Sequence, residues 1–317
     1  MSGFAGGIVY GLGASVLVAV STILGVWLER KVSGRIQRRY GPQEQGPFGL
    51  LQTVFDVVKL LLKEDITPKN ADVRPFRLAP LLTFTPIAAV LVVVPFAAGW
   101  VPLDTRIGVL LFLAIPSLSV LGLLIGGWSS GNTYATLGAL RGAAQMVSYE
   151  VPRTLSVLAV VLLAGSMRPL DIVERWEWWW IPVLFIGFVV YIISTIAELN
   201  RGPFDLPEAE SELVAGYFAD YSGIRWAIFM MSEYAGMLLA SLMAGVLFLG
   251  GTHDLPGAWG VLLLAVIVAV FAVFFVWVRW TYPRMRPDQL MEYAWKVLTP
   301  LAILQLVIVG VVIAWEA

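Results

Sequence analysis

Eight long apolar runs, each with few or no charged residues, recur along the chain. A helix needs about 20 apolar residues to cross a bilayer, and most of these runs approach or reach that length. None shows the strict alternation of a half-buried strand. The pattern predicts an all-α, polytopic membrane protein that forms a single membrane domain over residues 1–317. The predicted spans are residues 8–28, 79–98, 107–128, 147–165, 181–198, 226–249, 258–278 and 297–315.

A ninth apolar stretch, residues 48–62, is interrupted by charges and is too short to span. Its polar residues Gln52, Asp56, Lys59 and Lys63 follow a spacing of i, i+4, i+7 and i+11, which places them on one helical face. The spacing predicts an amphipathic helix that lies in the membrane interface or roofs a cavity. A peripheral anchor without further function explains the same pattern equally well.

The basic residues predict how the spans are oriented. The connections after the first, third, fifth and seventh predicted spans hold 18 Lys and Arg with their flanks, and the other three connections hold 3. Because basic loops stay on the cytoplasmic side of a membrane, both termini are expected outside the cytoplasm, or outside the matrix in a mitochondrion.

Composition removes several classes of function. The chain is 59% hydrophobic and 14% charged, whereas about 25% of the residues of a soluble domain are charged. A balance of 21 basic and 22 acidic residues argues against a nucleic-acid partner. With no cysteine and one histidine, His253, iron–sulfur clusters, c-type haem and His/Cys zinc sites are not expected on this chain. Any redox centre that serves the protein must lie on a partner.

Nucleotide-binding motifs are also missing from the sequence. Gly11 and Gly13 begin a glycine-rich pattern, but Val16 stands where the third glycine of a dinucleotide fingerprint belongs. No phosphate-binding loop of the Walker type is present. Neither NADH nor ATP is therefore expected to bind this chain.

Carboxylates at the ends of spans are the most informative polar residues, because charge within the bilayer is costly. Glu29 closes the first predicted span, Glu150 opens the fourth, and Glu198 closes the fifth. Glu233 lies seven residues inside the sixth, and no Lys or Arg follows Arg225 on that helix to pair with it. Their common level predicts one polar cavity near the cytoplasmic surface. Solvated helix ends explain the first three equally well, but they do not explain Glu233.

The connection between the fifth and sixth spans is acidic, although a cytoplasmic loop is usually basic. Capping of the following helix accounts for two of its acids, Asp205 and Glu208, beside Pro207. Repulsion among crowded carboxylates raises the pKa of some of them towards neutrality, as a proton relay requires. Over residues 197–216 the acids are Glu198, Asp205, Glu208, Glu210 and Glu212, against the single cation Arg201.

The connection after the seventh span is basic and aromatic, with Arg279, Arg284 and Arg286 beside Trp280 and Tyr282. Anchoring at the membrane surface explains this composition. A guanidinium and aromatic wall for a polar head group or for a partner subunit is the alternative, but composition alone favours anchoring.

The motifs in these connections resemble the H subunit of respiratory complex I, which is called subunit 1 in mitochondria. They follow the family order from about residue 20 to residue 300, and residues 204–213, FDLPEAESEL, are the most specific of them. Leu199 and Gly202 depart from the usual family residues, but neither change removes a charge. The matching segments are residues 29–31, 39–42, 145–151, 200–201, 204–213, 232–234 and 279–290.

The resemblance implies a membrane-arm subunit of a proton-translocating NADH-quinone oxidoreductase that forms much of a quinone tunnel. It implies that quinone is the substrate and that NADH and iron–sulfur clusters belong to peripheral-arm partners. Small membrane subunits, antiporter-like subunits and lipid would surround the chain. The implied location is the bacterial inner membrane, or the mitochondrial inner membrane in a eukaryote.

Site residues follow from the same resemblance, motif by motif, and none is a catalytic group for electron transfer. Quinone would contact Arg30, Asp56 and Arg279. Loops or partners would be held by Arg39, Arg201 and Arg284. Proton coupling would use Glu29, Glu150, Glu198, Asp205, Glu208, Glu210, Glu212 and Glu233.

Two other functions remain open at this point. An equivalent subunit fed by another donor, such as ferredoxin, would look the same, because the donor site lies on another chain. A stand-alone secondary transporter would have the same composition, but the acidic inner loop and the lack of two corresponding halves disfavour it.

Overall fold

The computed structural model describes residues 4–208, 210–251, 255 and 257–316, and His253 lies outside them. Within these residues the chain is α-helical, and the only bridge between extended segments joins Ala97 to Trp100. The helices are α1 (Phe4–Ile36), α2 (Leu51–Leu62), α3 (Val73–Val90), α4 (Gly108–Ser117), α5 (Ser119–Ser129), α6 (Thr133–Ala164), α7 (Pro169–Glu174), α8 (Trp180–Glu198), α9 (Glu210–Leu213), α10 (Gly223–Phe248), α11 (Ala258–Thr281), α12 (Pro287–Tyr293) and α13 (Thr299–Glu316).

Eight helical segments of the described chain are long and apolar enough to cross a membrane, which confirms the predicted all-α, polytopic class. The amphipathic stretch forms the separate helix α2. The eight segments are Tyr10–Ile36, Val73–Val93, Gly108–Ser129, Thr133–Ala164, Trp180–Glu198, Gly223–Phe248, Ala258–Thr281 and Pro287–Trp315.

The fourth span begins at Thr133, 14 residues before the expected start at 147. The side-chain oxygen of Asn132 accepts a hydrogen bond from the backbone N–H of Tyr134 at 3.0 Å and so caps the helix. Hydropathy misses this first part because Arg141 and several small residues dilute it. Gly165 ends the helix with a φ of 64°, a left-handed conformation that favours glycine.

The second span is shifted towards the N-terminus relative to the expected residues 79–98. It runs from Val73 to Val93, and Val94 is already extended. Pro95 explains the early end, because the residue before a proline is driven out of the helical region. The third span is divided into α4 and α5 at Leu118, two residues after Pro116, which has no N–H for the helical ladder.

The first and last spans are also longer than expected. Helix α1 continues from the expected end at residue 28 to Ile36, so Glu29 lies within the helix. The last span begins at Pro287 instead of residue 297, and a π-helical stretch, Ala294–Leu298, joins α12 to α13. Hydropathy marks only the apolar part of each helix, whereas the backbone hydrogen bonds continue through the polar ends.

Helix α10 lies at the centre of the packing, since 67% of its most apolar window is buried, against 22% for the first span. Close helix contacts depend on small residues. A Cβ on Gly122 of α5 would lie 2.3 Å from the hydroxyl of Thr83 on α3, so this contact requires glycine. On the other side, the buried amide of Gln305 donates to the carbonyl of Val183 at 2.7 Å and accepts from the N–H of Gly187 at 3.1 Å, which ties α13 to α8.

Candidate functional site

Helices α1, α2, α10 and α11 line a cavity that opens to the outside of the chain, which we call the outer cavity. Helix α2 contributes part of one wall, and of its four polar residues expected on one face, Asp56 belongs to the described lining whereas Gln52, Lys59 and Lys63 do not. Asp56 accepts a hydrogen bond from Arg30 of α1 at 2.6 Å and a weaker one from Gln52 at 3.4 Å. Nζ of Lys59 lies 3.8 Å from Oδ1 of Asp56, the oxygen that also accepts from Gln52. The Arg30–Asp56 pair therefore joins α2 to α1 beside the cavity.

Four side chains from four parts of the chain form a closed ring of alternating charge, which we call the charge ring. Nη1 of Arg279 lies 2.9 Å from Glu29 and 3.8 Å from Glu233. On the other side of the ring, Arg201 lies 3.1 Å from Glu29 and 2.6 Å from Glu233. Two cations and two anions leave the ring neutral. Glu233 has no cation on its own helix after Arg225. Its cationic partners are Arg201, from the loop after α8, and Arg279 of α11.

Arg201 is only 2% exposed, so it lies inside the protein and not on a surface that a partner could reach. Its guanidinium lies over the ring of Tyr234, 4.7 Å from the centroid, and Tyr234 donates a hydrogen bond to Glu29 at 2.7 Å. Burial alone would lower the pKa of Arg201, but Glu233 and Glu29 raise it above its ordinary value. Arg201 therefore remains a cation at every physiological pH.

A second, narrow cavity, which we call the inner cavity, lies on the other side of α10. Its walls include Glu198 and Arg153, which form a close ion pair. The guanidinium of Arg153 also lies 5.8 Å from the centroid of the Phe112 ring. Arg153 is absent from the residues expected from the sequence, although an arginine within an apolar span is a signal in its own right.

Two carboxylates, Glu208 and Glu233, line both cavities. Burial, and then the charges of Glu233 and Asp205, raise the pKa of Glu208 well above its ordinary value. Burial also raises the pKa of Asp205. Crowding therefore acts in the expected direction, but burial is the larger cause. The carboxylate whose pKa is raised most, Glu208, therefore lines both cavities.

Two other carboxylates of the expected set, Glu212 and Glu150, lie away from this junction, whereas Glu29 lines the outer cavity and Glu198 the inner one. Glu212 points outwards to Arg141 at 2.7 Å, and this hydrogen bond lowers the pKa of Glu212. Glu150 pairs with the hydroxyl of Ser117 and is not among the residues that line either cavity. The side chain of Glu210 lies outside the described part of the chain. Glu29, Glu150, Glu198 and Glu233 therefore do not share one cavity.

The two remaining basic residues of the expected set differ in burial. Arg39 is exposed at the mouth of the outer cavity and donates to Gln37 at 2.6 Å. Arg284 is half-buried, and its positive charge acts to lower the pKa of Asp205 and of Glu212.

Among residues 4–208, 210–251, 255 and 257–316, no group of three His, Cys, Asp or Glu is placed to hold a metal ion.

Comparison with known proteins gives consistent similarities over nearly the whole chain. Residues 10–310 match the family model described as NADH dehydrogenase. The H subunit of the NADH-quinone oxidoreductase of Geobacillus kaustophilus is 49% identical over 317 residues, which cover 96% of this chain and 94% of the relative. The H subunit of Bacillus cytotoxicus is 50% identical over 308 residues, covering 93% and 91%. That of Brevibacillus brevis is 49% identical over 319 residues, covering 96% and 93%.

Proposed function

This chain belongs to the family of NADH-quinone oxidoreductase H subunits, and on that premise we propose that it binds quinone in the outer cavity and couples quinone reduction to proton transfer. The resemblance predicted from the loop motifs is thereby confirmed. The observation that carries the proposal is the position of Glu208 and Glu233, which line both the outer and the inner cavity.

The outer cavity suits a molecule with an apolar tail and a polar ring. Val26, Leu60 and Met230 line an apolar part, and Arg279 and the Arg30–Asp56 pair line a polar part. Ligand sites of this kind are mostly apolar with a few convergent polar groups. A quinone fits this division, with its head group at the cationic end.

Charge balance in the ring provides a way to couple reduction to protons. The side chain of Arg279 is 29% exposed, so its guanidinium can face the cavity as well as the ring. Negative charge that develops on a quinone oxygen attracts Arg279, and each contact that it makes there weakens its contacts with Glu29 and Glu233. The ring then carries excess negative charge, which a proton neutralises. Glu208 lies at the same junction and connects that proton to the inner cavity.

The surroundings of this site are part of the same proposal. Electrons would come from iron–sulfur clusters on peripheral-arm partners, since this chain has no cysteine and a single histidine. Small and antiporter-like membrane subunits would continue the proton path. The chain would form one domain in the inner membrane, with both termini outside and the basic loops facing the cytoplasm. The Arg30, Asp56 and Arg279 side chains would contact quinone.

The experiment that tests this function is Glu233→Gln in the assembled enzyme, reconstituted into vesicles. Glutamine keeps the size and the hydrogen bonding of the side chain but cannot exchange a proton. Quinone reduction and proton uptake are expected to fall together, while electron flow from NADH to an artificial acceptor is retained. Glu292→Gln is the matched control, because Glu292 is 66% exposed and, among the described residues, pairs with Lys296 alone.

If Glu233→Gln keeps full quinone reduction and an unchanged ratio of protons to electrons, Glu233 is not part of the proton path. Replacement of NADH by reduced ferredoxin in the same vesicles identifies the electron donor. This second measurement separates the proposed enzyme from an equivalent complex with another donor.

A further inference from the structure

We propose that an anionic phospholipid of the surrounding membrane binds in a groove on the outer face of α1, with its acyl chain between α1, α10 and α11 and its phosphate on Lys31 and Arg35. This site is separate from the outer cavity. Of the described residues that line the two, Tyr234 alone is shared.

The acyl-chain part is an apolar groove of about 1170 Å³. On α1 its lining runs from Leu17 to Leu28, and α11 contributes Val261 to Ala272 along the same direction. At 1.5 Å per residue, Leu17 and Leu28 are roughly 16 Å apart. The hydrocarbon of one leaflet is about 15 Å thick, half of a 30 Å core. The groove therefore has the length of one acyl chain in one leaflet.

The floor of the groove is formed where α1 approaches α10 closely. A Cβ on Gly25 would lie 2.8 Å from the ring of Tyr234, so the close approach requires glycine at this position. The wall on α11 carries small exposed residues, among them Ala265 and Ala269. A slender chain fits between these surfaces.

The head-group part is a pocket of about 600 Å³ lined by Trp27, Leu28, Lys31, Val32, Arg35 and Phe48. It contains two cations and no acid. Within the described residues, no carboxylate lies within 4.0 Å of Lys31 or Arg35, in contrast to the neighbouring Arg30, which pairs with Asp56. The indole N–H of Trp27 donates to the carbonyl of Phe48 at 3.1 Å and fixes the pocket wall. Lys31 lies 6.0 Å from the centroid of the Trp27 ring.

The groove and the pocket are continuous, because Trp27 and Leu28 line both. The basic pocket thus lies at the end of an apolar groove, at the level where a lipid carries its phosphate. Basic pockets beside transmembrane helices select anionic head groups. An apolar partner helix would match the groove alone, whereas an anionic lipid matches both the groove and the two cations, so the charge favours a lipid.

The test uses the purified enzyme in nanodiscs with a phosphatidylglycerol that carries a photoactivatable acyl chain. Cross-links between the lipid and peptides of α1 and α11 are expected. In Lys31→Gln/Arg35→Gln the yield of these cross-links should fall about fivefold for each cation removed. That factor corresponds to ~1 kcal/mol for each basic residue near anionic lipid. Ala265→Trp, which fills the groove and keeps both cations, should reduce the same cross-links.

Two matched variants serve as controls. Arg38→Gln/Lys63→Gln removes two exposed cations that do not line the pocket, and Val270→Trp adds the same bulk to α11 outside the groove. Both should label as strongly as the unchanged protein.

Three results would overturn the proposal. Equal labelling by the phosphatidylcholine analogue would show that the cations do not select the lipid. Cross-links from α1 to another subunit, with no lipid adduct, would assign the groove to a partner helix. Displacement of the lipid by a short-chain quinone would assign the groove to the substrate.

Discussion

Replacing Arg201 by methionine is expected to destabilise the protein by about 3 kcal/mol. Removing one partner of a buried ion pair costs about 3–5 kcal/mol, because a charge remains without compensation. Arg201 lies 3.1 Å from Glu29 and 2.6 Å from Glu233, and its loss changes the charge ring from neutral to −1. The lower end of the range applies because Arg279 remains 2.9 Å from Glu29 and continues to pair with it.

A double-mutant cycle measures this interaction directly. In Arg201→Met/Glu233→Gln the ring retains Glu29 and Arg279 and is neutral again, so about 1–3 kcal/mol of the loss should be recovered. Arg201→Lys retains the charge, but a single ammonium replaces a planar fork that contacts two carboxylates. Its stability should lie between those of the methionine variant and the unchanged protein.

The assay is the free energy of unfolding of the chain in detergent micelles, obtained from denaturant titration. Arg77→Met is the control, because Arg77 is exposed, and its effect should stay within about 0.5 kcal/mol. Strict additivity of the Arg201→Met and Glu233→Gln effects would refute the reasoning, since it would mean that the two side chains do not interact.

Three further predictions concern activity, pH and topology. In Arg279→Ala, quinone reduction should fall while electron flow from NADH to an artificial acceptor stays near normal, and an equal loss of both would indicate failed assembly instead. Because burial raises the pKa of Glu208, the protonated side chain stabilises the fold at low pH, and this stabilisation is lost as the pH rises from 4.5 through the raised pKa. In Glu208→Gln, the free energy of unfolding measured against pH should therefore decrease less over that range. Cysteines placed at Lys69 and Arg106, both exposed, should react with membrane-impermeant reagents from opposite faces, and labelling from one face would contradict the proposed orientation.

Most of the fold could be predicted from the sequence because apolar runs of bilayer length have few alternatives to a transmembrane helix. The errors lie at helix ends, where hydropathy and hydrogen bonding diverge. Asn132 was available as a cap signal for the early start of α6, and Pro95 as a stop signal for the second span. Both are local chemistry that a hydropathy average over a span does not detect.

The site was less predictable, because its geometry depends on contacts between distant residues. Nothing near Glu233 in the sequence identifies Arg201, 32 residues away, as its partner. The acidic loop shows the same limit: Glu208 turns into the protein while Glu212 turns out to Arg141. Both are glutamates in one short segment, and only the packing of α6 and α10 around that segment separates their roles.

The charge ring also has a consequence for the order in which the protein is made. Glu29 is synthesised 250 residues before its partner Arg279, which at about 5–20 residues per second is an interval of roughly 12–50 s. Until Arg201 is made, the first helix is in the membrane with a carboxylate that has neither of its two cations. From the synthesis of Glu233 until that of Arg279, the ring holds one cation for two carboxylates. The charge ring is therefore complete only after the seventh span has been synthesised, and a chain truncated before Arg279 would leave it with a charge of −1.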